Sequence, residues 1–323
     1  MSLSKFGRLY ELHIAGNDNQ IHIISFPLTC EFKITRDIQQ SCQEATFLLY
    51  NLNYTTRNSI NKDFFDFDLT RSVTFLAGYS YPLSVVFTGT VTTCMSYRDE
   101  GRTDYITEIR ASDAGFTVRN CFSSISFNQP VTQNQIISQL LNDLVKNSQT
   151  PASSAGALSN SIQPLKIGYV SQSYTKVFSK YAYSNATWPE LVLQTNGQCF
   201  IDLSTINVLA TGDAFQGEVK VIDQTSGLLS PPKRYNTCYA LELLFEPRLK
   251  IGQAIQVNDP SANFSPNNPN QVSPNGTFQI LGLDHEGIIS GSVNGKCKTH
   301  VFYISGFQGL FNFLGAINPA FAI

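Results

Sequence analysis

The stretch "LDHEGIISGSVNGKCKTH", Leu283 to His300, holds Asp284, His285, Glu286, Cys297 and His300. Two of the chain's four histidines and one of its seven cysteines fall within it. It is either a reaction centre or a β-hairpin that happens to carry these side chains, and its flanks decide between the two. "FQILGLDHEG" before and "CKTHVFYI" after are rich in β-branched and aromatic residues, and the Asn294-Gly295 turn lies between them. In a strand, neighbouring residues point to opposite faces. His285 therefore turns away from Asp284 and Glu286, and Cys297 turns away from His300. A zinc site at His285, Cys297 and His300 needs ligands converging to within about 2.0–2.3 Å, which this pattern denies. The strand pattern predicts instead a core or interface histidine hydrogen-bonded to backbone. "GIISG", Gly287 to Gly291, misses the G-x-S-x-G nucleophile elbow by one position and lies in or beside a hairpin.

Working outward, the same period of two recurs along most of the chain. In "LTCEFKITRD", Leu28, Cys30, Phe32 and Ile34 share one face, and Thr29, Glu31, Lys33 and Thr35 the other. "RLYELHIAG", "IHIISF", "EATFLLYNL", "RSVTFLAGY", "LSVVFTGTVTTCMSY" and "DYITEIRAS" complete a first β region, residues 1–118. Many short strands separated by turn residues predict a closed or nearly closed barrel. The pattern changes over residues 119–216. Ile136, Ile137, Leu140, Leu141, Leu144 and Val145 recur at helical spacing, with a T-x-x-Q capping box at Thr132 and Gln135. Thr187 and Glu190 predict a second capping box, and Gly197 a helix stop. "QCFIDL" and "INVLA" predict a short hairpin. Strands then return over residues 217–306, interrupted by a Pro/Asn-rich loop at 258–276. An apolar, uncharged tail, 307–323, closes the sequence. The order strand, gap, Gly-containing strand, hairpin, strand occurs in both β regions. The predicted fold is thus mainly β with a small α/β insertion: barrel, insertion, barrel, tail.

Charged residues are only 14% of the chain against a typical ~25%, and the net charge is −2. A surface of Ser, Thr, Asn and Gln is covered by partner subunits at low desolvation cost. No Lys/Arg block supports sequence-specific nucleic-acid binding or attachment to a membrane surface. The tail is too broken by Gly, Asn and Pro319 for membrane insertion, and the start lacks the apolar core of a secretory leader. The scattered, odd-numbered cysteines predict buried free thiols. "DFFDFD" supplies Asp63, Asp66 and Asp68 without the Gly and bidentate Glu of a calcium loop. No catalytic centre, cofactor or metal is expected. Aromatic content and a polar surface support one rival, a β-rich carbohydrate-binding or adhesin module, although Trp188 is the only tryptophan.

"SGLLSPPKRYNTCYALELLFEPRLKIG", followed by His285-x-Gly287 and Gly291, resembles the baseplate hub proteins of contractile-tailed bacteriophages. So do "LYNLNYTTRNSI", "VTFLAGY" and "VFTGTV" in the first half. The residues that carry the resemblance include Asn51, Leu52, Arg57, Ile60, Gly78, Tyr79 and Gly89. Gly227, Leu228, Pro231, Pro232, Phe245, Pro247, Gly252, His285 and Gly287 carry it in the second half. Ser226 stands where the pattern often has Thr, and the 258–276 loop is long. The resemblance implies two barrels of tube-protein type per subunit and a homotrimeric ring, a structural protein and not an enzyme. Such a ring adapts a six-fold tail tube to a three-fold central spike. Its partners are the tail tube protein, the central spike protein and other baseplate proteins. Its location is the virion tail baseplate, after assembly in the host cytoplasm. The tail's Phe307, Leu310, Phe311, Phe313, Leu314 and Phe321 are the expected assembly interface.

Overall fold

The computed structural model describes residues 7–38, 42–66, 71–98, 101, 103–113, 118, 121–149, 164–210, 215–235, 238–259, 276–292 and 295–304. The tail, with Phe307, Leu310, Phe311, Phe313, Leu314 and Phe321, lies outside the described residues.

The first β region folds as β1 (Leu9–Ala15), β2 (Ile21–Ser25), β3 (Cys30–Asp37), β4 (Glu44–Tyr50), helix α1 (Tyr54–Ile60), β5 (Ser72–Gly78), β6 (Ser84–Arg98) and β7 (Tyr105–Ser112). The middle of the chain gives β8 (Phe122–Phe127), β9 (Val131–Thr132), α2 (Gln133–Gln149), β10 (Lys166–Val170), β11 (Val177–Phe178) and β12 (Tyr181–Ala186). It ends with α3 (Thr187–Gln194), β13 (Cys199–Asp202) and β14 (Thr205–Val208). The second β region is β15 (Phe215–Ile222), β16 (Leu228–Tyr235), β17 (Cys238–Leu244), β18 (Gln253–Val257), β19 (Gly276–Ile289) and β20 (Cys297–Ile304). The fold is mainly β, as the alternation predicts.

Both β regions belong to one 13-stranded sheet, whose main path runs β16-β17-β20-β19-β3-β4-β7-β6-β5-β1-β2. The alternation of β3 holds from Cys30 to Ile34, while Leu28 sits in the turn before the strand and is exposed. Its inward residues meet those of β5, although β4, β7 and β6 lie between the two in the sheet. The Phe32 and Phe75 rings are 5.0 Å apart. Four strand steps in a flat sheet would separate them by about 19 Å. The sheet therefore rolls around Tyr10, Phe32, Phe47, Phe75 and Phe87, all buried in one cluster.

A second buried cluster lies under β17 to β20, built on Leu241, Ile255, Ile280, Leu283, Val301 and Tyr303. The third is the α/β unit. The α2 stripe of Ile136, Ile137, Leu140, Leu141 and Leu144 packs with Trp188 and Leu191 of α3 and with Ile201 and Ile206 of the β13–β14 hairpin. Phe200 and Leu209 of this unit reach into the second cluster.

Local signals held unevenly. Thr132 and Gln135 make the predicted capping contacts: the Thr132 N–H donates to Gln135 Oε1 at 2.9 Å. Gly197 stops α3 in the left-handed region, with its N–H bonded to the Val192 carbonyl. The Thr187–Glu190 capping box is absent. Thr187 is buried against Ser123, and Glu190 instead accepts hydrogen bonds from Tyr181 and Gln194. Several elements escape the sequence pattern, among them the insertion strands β8, β10 and β12, helix α1 and strand β16. Helix α1 is capped by the Asn53 side chain, and β16 is a strand despite Pro231 and Pro232.

The two β regions share one plan. Strands β3-β4-β7-β6-β5 and β16-β17-β20-β19-β18 follow the same order. Strands β6 and β19 are both long, 15 and 14 residues. Each pairs its first half with the strand before it and its second half with the strand after it. The ladder irregularity falls at matching places, between Val91 and Thr93 against β7 and between Ile280 and Gly282 against β20. With those bulges superposed, Thr107 corresponds to Thr299 and Ser96 to His285. The Ser96–Thr107 and His285–Thr299 side-chain hydrogen bonds are both 2.9 Å. A bulge adds one residue to one strand only, so its recurrence in register marks a repeated module more firmly than strand count does.

Candidate functional site

His285 is fully buried on β19, pointing inward, while Asp284 and Glu286 lie on the outer face. Its Nδ1 pairs with the Thr299 hydroxyl at 2.9 Å, not with backbone as the sequence predicts. That hydroxyl also accepts the Glu246 N–H at 3.0 Å. The Phe245 ring stands edge-on at 5.8 Å, and among the described residues the histidine Nε2 has no hydrogen-bond partner. Burial, helped by the charge of Arg36, pushes the His285 pKa well below the usual imidazole range, so it is neutral. Cys297 is buried, and burial raises its thiol pKa to about 12, opposed by Arg8. His300 stands on the outer face, 3.5 Å from Glu242 and 3.7 Å from Glu286. The opening cluster is thus split across a sheet. Among the described residues, no three His, Cys, Asp or Glu side chains are grouped to hold a metal. Above the β3–β19 junction, a shallow groove of about 710 Å³ is lined by Glu31, Lys33, Thr46, Glu286 and Lys298. Its acids and bases alternate and do not converge on a point.

The other motif residues take structural positions. Tyr79 follows β5, and its hydroxyl donates to the Phe245 carbonyl at 2.7 Å, tying the first region to the loop after β17. Phe245 packs into the first cluster, 5.5 Å from Phe32. Pro247 is buried in the same loop. Gly227 ends a single 3-10 turn at φ 97°, and Leu228 opens β16. Gly252 is at φ 79°, against Leu209 and Phe215. A Cβ on Gly287 would lie 2.7 Å from Cys297 Cα, and one on Gly89 2.5 Å from the Ser112 carbonyl oxygen. Gly78 ends β5 without such crowding. Trp188 is buried at the start of α3 and offers no sugar-stacking face.

The most demanding chemistry lies where the three clusters meet, and the sequence reading passed over it. Arg36 of β3 is 1% exposed and forms a bidentate pair with Asp202 of β13, at 2.8 and 2.7 Å. Gln43 donates to the Asp37 and Ile201 carbonyls and accepts the Asp37 N–H. Asp113 accepts from the backbone N–H and hydroxyl of Ser204. Burial raises the Asp113 pKa to about 7 against the lowering by Ser204, and neighbouring Asp202 adds to the rise. One signal was available: continuing the Cys30, Phe32, Ile34 face by two residues places Arg36 inward. A cation on a buried face requires a partner.

No family model matches the sequence, and no curated protein matches it significantly. Solved structures do match. A tail protein from Neisseria meningitidis MC58 shares 10% identity at a TM-score of 0.56, over 92% of this chain and 96% of that one. The 43 kDa tail protein of prophage MuSo2 from Shewanella oneidensis gives 10% and 0.56, over 93% and 98%. The E. coli c3393 protein gives 9% and 0.51, over 88% and 75%. It is described as a type VI secretion component with structural similarity to T4 bacteriophage tail proteins gp27 and gp5. The chain has a hub-like tail-protein fold. At such identities the likeness establishes architecture, and function has to be argued from this chain's own surfaces and joints.

The Arg36–Asp202 pair gives a direct test. Asp202→Ala leaves a buried guanidinium uncompensated and lowers unfolding free energy by about 3–5 kcal/mol, measured by denaturant titration. A loss under 1 kcal/mol means the insertion is held by its apolar contacts alone. Asp113 gives a pH test. Its pKa is higher in the folded state than the ordinary carboxylate value, so the folded protein binds the extra proton. Its contribution to stability is fully present below the ordinary carboxylate value of 3.8 and is lost progressively as pH rises from there through about 7. Asp113→Asn removes that decline, so the variant's stability relative to wild type rises between pH 4 and 7. A constant difference across that range contradicts the assignment.

Proposed function

We propose that this chain is the structural subunit of a phage-type tail baseplate hub. The observation that carries the proposal is the repeated module: two β units with the same strand order and the same bulge, joined edge to edge in one chain. A homotrimer of such chains presents six similar units around an axis, the arrangement that matches a six-fold tube on one side and a three-fold spike on the other. The units correspond to a first barrel at 1–118, the α/β insertion at 119–216, a second barrel at 217–306 and the tail at 307–323. The likeness to tail proteins supports this reading, as does the low charge content of 14%. Exposed Ile21 and Ile23 on β2, and Phe64 and Phe65 after α1, add apolar surface of the kind that partners cover.

In this role the protein carries load and symmetry and catalyses nothing. Heterologous contacts between subunits close into a ring only at one rotation. The partners are the tube protein, the central spike protein and neighbouring baseplate proteins, in the virion tail after assembly in the host cytoplasm. The apolar tail residues Phe307, Leu310, Phe311, Phe313, Leu314 and Phe321 supply part of the contact area.

Light scattering tests this. The purified chain is expected at three times its 35.8 kDa mass, or, with spike and tube proteins added, in a complex that contains three copies of it. A chain ending at residue 306 should trimerise less well in the same measurement. A full-length chain that stays monomeric with both partners present overturns the hub reading, and unchanged trimerisation of the shortened chain removes the tail from the interface.

A further inference from the structure

The repeated module makes a prediction about its own edges. Within one chain, the second half of β19 pairs with β3, residue by residue from Gly282–Asp37 to Ile289–Cys30. The counterpart of β19 in the first module is β6, and the counterpart of β3 in the second module is β16. Yet β6 has only β5 and β7 as strand partners among the described residues, plus one bridge between Lys62 and Cys94. Among the described residues, strand β16 pairs only with β17 and is an end of the sheet path. The junction made once inside the chain has both of its halves present a second time, unjoined.

We infer that β16 of one copy adds antiparallel to the second half of β6 of the next copy, repeating the β3–β19 junction between subunits. This rests on the ring reading above and specifies its contact. Matching the bulges gives the register. Ser96 takes the place of His285 and meets Arg234, which takes the place of Ile34. Tyr97 takes the place of Glu286 and meets Lys233, the counterpart of Lys33. The Cys94 N–H and C=O point to Lys62, away from β7, at 2.9 and 2.8 Å. By alternation Ser96 turns its backbone groups the same way, toward the incoming strand. The β6 side chains at this edge suit burial: Met95 is 53% exposed and Tyr97 40%. Pro231 and Pro232 have no N–H to donate, so the junction is confined to the segment from Lys233 onward and is shorter than its counterpart inside the chain.

Cysteine pairing tests the register. Tyr97 and Lys233 fall at a non-hydrogen-bonded position, where facing Cα atoms lie about 4.5 Å apart, within disulfide range. The double variant Tyr97→Cys/Lys233→Cys is made in the full chain, with each single variant as a control. Both positions are partly or fully exposed, and far-UV circular dichroism checks that the fold is kept. Under mild oxidation the double variant should lose its monomer band on a non-reducing gel, replaced by covalent dimer and closed trimer. Mixed single variants should stop at dimer, and either single variant alone should stay monomeric. A double variant that remains monomeric on the gel overturns the proposed pairing. Light scattering of the same sample then separates the two readings. A trimer without the disulfide leaves the hub standing and this contact wrong, and a monomer removes both.

Discussion

The ladder between β3 and the second half of β19 is the constraint on which the rest of the molecule depends. It joins the two β regions into one sheet through backbone hydrogen bonds, each worth about 0.5–1.5 kcal/mol net. It also decides what stands opposite what. Gly287 faces Phe32, and Leu283 faces Arg36. On its other side Gly287 faces Cys297 of β20, so close that β19 and β20 approach more tightly there than a side chain would allow. The loop after β17 then lays Phe245 into the first cluster, where the Tyr79 hydroxyl holds its carbonyl. The two modules therefore exchange core residues across the junction and cannot part without exposing apolar surface on both sides.

Arg36 extends that junction to the third cluster. Its bidentate pair with Asp202 is buried, so the attraction between the charges is largely offset by their lost hydration. The contribution of such a pair is directional. Two fixed donors and two fixed acceptors admit one orientation of the β13–β14 hairpin against β3, which apolar contacts from Phe200 and Leu209 alone would not select. Gln43 and Asp113 satisfy the backbone around it. The α/β unit is thereby seated at the point where the two modules meet.

How much of this was legible in the sequence follows from which forces are local. Period-two alternation located nearly all the long strands, because a half-buried sheet imposes it residue by residue. The hairpin at Leu283 to His300 was decided the same way, and His285 is buried where alternation puts it. Strand β16 was missed because two prolines suppress the pattern, and an edge strand tolerates them. Helix α1 was missed because seven residues with one buried side chain, Ile60, give almost no periodicity. The Thr187–Glu190 box failed because tertiary partners claimed both side chains. Arg36 was legible in principle, but its partner Asp202 lies 166 residues away, and no local pattern links them.

The departures between the two modules are as informative as the likeness. Where β3 runs unbroken through Cys30–Asp37, β16 is irregular at Ser230 and interrupted by Pro231 and Pro232. An unprotected edge strand invites pairing with any other strand, and proline is a common safeguard. A junction folded within one chain needs no such guard, because its partner is tethered at high effective concentration. A junction made between chains has to resist wrong partners first and form second. The prolines fall on the strand at the end of the sheet path, and the bulge and the hydroxyl-centred hydrogen bond are kept in both modules. This is the distribution expected if one of two equivalent edges is satisfied inside the subunit and the other waits for a neighbour.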